Sequence, residues 1–227
     1  MFSLICEFLF ITNCYNKSML TNHKNYFLLI LFVVLSETAF TEEDPYIFID
    51  NNAQLMVETL KNNKQLFSED RDLFEDKIKE IFEPMIDFRR ISASVMGKKY
   101  YMQASKAERI QFVTIFKDSL LDTYAETLAQ WEDQAIETVF LDYIASPELK
   151  KIEVKQELNT GDSIYPILYK LRKTNDSWAI TNIIINGVNL GLTFRNQFRA
   201  LADEHKGDVS LTIDNWVSDV GNAGIDE

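Results

Sequence analysis

Residues 177–198 read SWAITNIIINGVNLGLTFRNQF, a β-branched run that breaks at Gly187 and passes into a helix-like pattern. Strand, glycine and helix in that order often cradle a phosphate, because a helix N-terminus presents unpaired N–H groups and the positive end of its dipole. Here Gly187-Val188-Asn189-Leu190-Gly191 has neither the GxGxxG spacing nor a GK[ST] ending, and the nearest cation, Arg195, lies further along the helix. The segment therefore does not read as a nucleotide site. It offers apolar surface on two sides instead: Ile183 and Ile185 face one way, Ile180 and Ile184 the other, and Val188, Leu190 and Leu192 follow.

Three more runs rich in β-branched and aromatic residues precede it, at 136–141, 152–158 and 164–171, separated by Asn, Asp, Gly, Ser and Pro clusters. In the second, Ile152, Val154 and Leu158 alternate with Glu153, Lys155 and Glu157, so one face is wet. In the third, Tyr165, Ile167, Tyr169 and Leu171 share a face.

The first half of the chain has a different period. Asp44 caps a helix with Pro45 at its first position, and Ile49, Ala53, Met56 and Leu60 follow at helical spacing. Phe74, Ile78, Ile81, Phe82 and Met85 mark a second helix that Pro84 should kink or end. A short third helix is expected to stop at Gly97. Ser105 and Glu108 form a capping box ahead of the longest helix, whose apolar face carries Phe112, Phe116, Leu120 and Tyr124. Beyond Gly187, Leu190, Phe194, Phe198 and Leu201 line another helix, followed by Val209, Ile213 and Trp216. Helices followed by strands indicate an α+β domain with an antiparallel sheet of about four strands.

Residues 26–35, YFLLILFVVL, form an apolar run of ten, too short to span a membrane and suited to the h-region of a signal peptide. Cleavage is expected between Thr38 and Glu42. A start at Met19 would leave an n-region of normal length, so residues 1–18 read as an overlong start. The expected organisation is 1–41 as leader, 42–220 as one domain and 221–227 as a C-terminal tail. Both cysteines, Cys6 and Cys14, fall in the leader, which leaves the mature chain without disulfide or thiolate chemistry.

With 23 Lys and Arg against 35 Asp and Glu, a net charge of -12, the chain is a poor partner for nucleic acid or an anionic membrane. His205, the one histidine beyond the leader, sits by Lys206-Gly207 at a helix end and reads as a solvated residue. There is no HExxH, CxxC or GxSxG, so neither a metal cofactor nor a catalytic residue is expected. Carboxylate runs such as SEDRDLFEDKIKE read as wet helix faces. Asn182, mid-strand where an aspartate could act as a buried base, cannot titrate.

The segment WAITNIIINGVNLGLTFRNQF resembles the signature of the MlaC family, the toluene-tolerance auxiliary proteins of an ABC transporter: a Trp-led strand, a Gly-Val-polar-Leu turn and an aromatic-Arg-x-x-Phe helix. DPYIFI is similar to that family's mature start, EPMIDFRRISASVMGKKYY to its Pro-x-x-Asp-Phe block, and ASKAERIQFVTIFKDSLLDTYA to its Phe-x-x-x-Phe helix. The chain departs from the usual pattern at Lys106, Asn182, Asn186, Asn189 and Phe194, which leaves the apolar pattern intact and alters polar contacts at the turn.

The resemblance implies a periplasmic phospholipid carrier that is not an enzyme. Its curved sheet and helices enclose a hydrophobic pocket for acyl tails. It ferries lipid between an outer-membrane lipoprotein–porin complex and an inner-membrane ABC transporter with an MCE-domain ring, maintaining outer-membrane asymmetry. The lipid is cargo, not cofactor. Met96, Tyr100, Phe112, Phe116, Leu120, Tyr124, Ile167, Tyr169, Ile183, Ile185, Val188 and Leu192 are the candidate lining residues, and periodicity alone leaves each open between pocket and core. The rival readings are a carrier of another hydrophobic ligand (a sterol-like or hopanoid lipid, an organic solvent), a cone-fold isomerase or hydratase, and a plain interaction module.

Overall fold

The computed structural model describes residues 43–142, 148–174 and 177–218, all within one unit, Glu42–Glu227. The expected leader with its cysteines and the tail 221–227 lie outside the described residues.

Five helices come first: α1 (Pro45–Asn62), α2 (Leu66–Glu69), α3 (Arg71–Met85), α4 (Phe88–Gln103) and α5 (Lys106–Ala129). Local chemistry sets their ends. The Asp44 carboxylate accepts from the Tyr46 and Ile47 N–H groups at 2.8 and 3.2 Å. Asp70 and Asp87 cap α3 and α4 in the same manner. Ser105 and Glu108 close the predicted capping box at 2.7 and 3.2 Å. Pro84 falls in the last turn of α3, which ends at the next residue. At Gly97 the first helical stretch of α4 stops as expected, with φ 68° and ψ 165° outside the helical region, and a second stretch follows across the kink to Gln103. A glycine at positive φ bends the chain at no steric cost, and the turns beyond it are held by the packing of Tyr100.

Strands β1 (Ala135–Val139), β2 (Lys151–Asn159), β3 (Ile164–Lys173), β4 (Trp178–Ile185) and β5 (Val188–Asn189) form one antiparallel meander in the order β1-β2-β3-β4-β5. The fifth strand extends the expected four. Asn186 and Gly187, at φ 47° and 84°, make the two-residue hairpin turn that folds Val188 and Asn189 back onto β4. A bulge leaves Thr181 unpaired where β4 crosses Lys170 and Leu171 of β3. Helices α6 (Leu190–Glu204) and α7 (Val209–Asp214) complete the fold.

The interior consists of three clusters. α4, α5, α6 and α7 bury Phe112, Phe116, Phe194, Phe198, Ile213 and Trp216 together. α1 and α3 cover part of the sheet through Tyr46, Phe48, Ile49, Ile81 and Met85 against Val154, Leu171, Trp178 and Ile180. A third cluster, around Leu60, Phe74, Ile78 and Ala125, joins α1, α3 and α5.

Candidate functional site

The strand–turn–helix junction is closed by its own side chains. Asn189 Oδ1 accepts from the Leu192 N–H at 3.1 Å and from Asn182 Nδ2 at 3.0 Å, and Asn182 Oδ1 accepts from the Gly191 N–H at 3.1 Å. The N–H groups that would hold a phosphate are thus satisfied internally. Arg195 is committed elsewhere, donating from Nε and a terminal nitrogen to the Ser94 carbonyl and hydroxyl, both at 2.7 Å.

Register places the inner face of the sheet in rungs. Ile152, Leu171 and Ile180 form one, and Val154, Tyr169 and Ile183 the next; both pack against the α1–α3 layer. The third rung crosses all five strands through Thr138, Gln156, Ile167, Ile185 and Val188. Its three aliphatic residues belong to none of the three clusters. Ile185 and Val188 are half-buried, as are Leu158 and Ile136 on the same face. Tyr169 is also only half-buried, yet desolvation pushes its hydroxyl well above the ordinary phenol range.

Gln156 is the polar member of this rung and is fully buried. Its Nε2 donates to Thr138 Oγ1 at 2.8 Å, and that hydroxyl donates in turn to Asp50 Oδ1 on α1, also at 2.8 Å. The carboxylate accepts the single Thr138 proton, which fixes the amide with Nε2 toward Thr138. Gln156 Oε1 is left without a hydrogen-bond partner. The alternation of Ile152, Val154 and Leu158 marked this position as inward, and that parity was the signal available in the sequence.

The structure divides the twelve candidate residues. Met96, Tyr100, Phe112 and Phe116 lie in the helical cluster, each no more than 4% exposed. The Phe112 ring is 5.0 Å from Phe198 and 5.5 Å from Trp216, and Phe116 is 5.3 Å from Phe194. Rings at these centroid distances are in direct contact. Tyr100 is pinned as well, its hydroxyl donating to Asp203 Oδ1 at 3.0 Å. Leu120 packs half-buried on the rim of that cluster, and Tyr124 is half-buried further along α5. Ile167, Tyr169, Ile183, Ile185 and Val188 gather on the sheet face. Leu192 is 52% exposed in the first turn of α6.

Among the described residues no group of three His, Cys, Asp or Glu side chains could hold a metal ion, and no helix is long and apolar enough to cross a membrane. The His205 imidazole sits at the C-cap of α6 with Nε2 buried and without a hydrogen-bond partner, rather than solvated as expected.

A solved phospholipid-binding protein from Ralstonia solanacearum, in complex with a phospholipid, shares the fold with a TM-score of 0.68 at 22% identity, over 76% of this chain and 94% of the other. The toluene tolerance protein ttg2D of Pseudomonas putida is 28% identical over 86% of this chain and 90% of its own length. The intermembrane phospholipid transport system binding protein MlaC of Haemophilus influenzae is 23% identical over 89% of each. A family profile described as MlaC protein matches residues 50–218, from the first turns of α1 to the end of the described chain, and so the chain belongs to the MlaC family.

Proposed function

We propose that this protein is a periplasmic carrier of phospholipid, exported by a cleaved leader, that catalyses no covalent change. It takes lipid from one membrane system and delivers it to another, between an outer-membrane lipoprotein–porin complex and an inner-membrane ABC transporter with an MCE-domain ring, and so maintains outer-membrane asymmetry. The observation that carries this reading is the third rung: Ile167, Ile185 and Val188 form an apolar strip that none of the three clusters incorporates, next to Tyr169 at the edge of the α1–α3 cluster. The family membership and the two relatives named for toluene tolerance and phospholipid transport support it.

The physical requirement is severe. A two-chain phospholipid has roughly 30 methylenes, and at about 0.8 kcal/mol each, exposing them to water costs on the order of 20 kcal/mol or more. A carrier crossing an aqueous compartment must therefore shield nearly all of the tails. Binding needs apolar area and no titrating group, which fits a strip built from isoleucine, valine and a neutral tyrosine.

The test is extraction of the full-length gene product, gently purified from a Gram-negative host and dialysed, with chloroform–methanol followed by mass spectrometry. Phospholipid at a stoichiometric level is the expected result. Protein free of lipid, or loaded only with a sterol-like or hopanoid compound, overturns the reading.

A further inference from the structure

The outer face of β2 and β3 carries an arrangement that stability alone disfavours. Lys151 and Arg172 stand directly opposite each other across the two strands. Like charges at opposed positions destabilise a sheet. Neither side chain has a hydrogen bond or ion pair with another described residue, whereas the next rung is balanced by a 3.0 Å ion pair between Lys170 and Glu153. Arg90, in the first turn of α4, flanks the same region and is bound to Asp87 through Nε at 3.0 Å. Together with Thr181 at the bulge, these residues line an open cleft of about 570 Å³. Four cations and one carboxylate thus meet at one place on a chain of net charge -12.

We propose that this cleft docks an acidic segment of a partner protein in extended conformation. One carboxylate meets Lys151 and Arg172, and a second, two residues along, meets Lys170 and Arg90. The spacing fits: alternate residues of an extended chain are about 7 Å apart, as are successive rungs on one face of a sheet. An anionic bilayer is the poorer match, since the strongly negative chain is repelled by such a surface. The consequence for function rests on the carrier reading above. Side chains of the cleft project from the face of the sheet opposite to the third rung, so a partner held here leaves the cargo strip uncovered.

The test uses the full chain and a fluorescently labelled hexaglutamate peptide, read by anisotropy. Binding is expected at low salt and should be lost at high salt. The double variant Lys151→Glu/Arg172→Glu should weaken it at least tenfold, and the surface control Lys61→Glu should not. Lys151→Glu alone is the sharper probe, because it puts opposite charges across the rung: it should raise Tm by about 1–3 °C while weakening the peptide. The proposal is overturned if the wild type ignores the peptide, if either groove variant binds it normally, or if Lys151→Glu lowers Tm. It is likewise overturned if millimolar inorganic phosphate displaces the peptide completely, or if phosphatidylglycerol vesicles retain the wild type while the peptide does not bind. Lipid content of the same preparations separates the two readings: a lipid-free wild type that binds the peptide sinks the cargo and leaves the docking cleft standing.

Discussion

Replacing Gly191 by alanine puts a Cβ 2.5 Å from Asn182 Oδ1 and 3.3 Å from Asn182 Cγ. The backbone at Gly191 is outside the left-handed region, so the obstacle is space and not dihedral strain. Asn182 must give way, and it is held by two hydrogen bonds, one to Asn189 and one from the Gly191 N–H. Losing both costs about 1 kcal/mol each, against which a glycine-to-alanine change recovers about 0.4–1 kcal/mol from the unfolded chain. The net expectation is a loss of about 1–2 kcal/mol, measured by urea denaturation with an unchanged m-value. A double-mutant cycle isolates the cause. In the Asn182→Ala background the obstruction is gone, so Gly191→Ala should become neutral or stabilising, with a coupling of about 1.5–3 kcal/mol. Equal costs in both backgrounds would refute the argument that Asn182 is what requires the glycine.

Phe116→Ala should cost about 3–5 kcal/mol in the same assay, because the ring is 1% exposed among Phe112, Phe194 and Trp216. By contrast Ile185→Asp, on the half-buried rung, should leave the domain folded and reduce extractable phospholipid severalfold; normal lipid loading of that variant moves the tails elsewhere. Tyr169 predicts a pH dependence. Its phenol is raised above 10.0 in the folded state, so the unfolded chain releases that proton first and stability falls as pH rises past this value. Urea midpoints between about pH 8 and 11 should fall more steeply for the wild type than for Tyr169→Phe, and parallel slopes would remove Tyr169 from its desolvated site.

Local interactions made much of the fold legible. The Asp44 cap, the Ser105–Glu108 box and the end of α3 at Pro84 depend on residues within one turn of each other, and the structure has each where the spacing put it. Strand periods were legible for the same reason, since alternation reports which side of a strand is dry without naming what dries it. Tertiary packing decided the rest. Phe112 and Phe116 have the same helical spacing whether they line a pocket or a core, and only the arrival of Phe198 and Trp216 from the far end of the chain closes them in. β5, two residues long, is too short for any period and exists because the Asn186–Gly187 turn aims it at β4. Gln156 looked like one polar residue in a strand until register set it beside Thr138 and Ile167. Lys151 and Arg172, twenty-one positions apart, become opposed charges only through the β2–β3 register, because pairing across strands is fixed by turns and buried faces and not by the residues that end up facing each other.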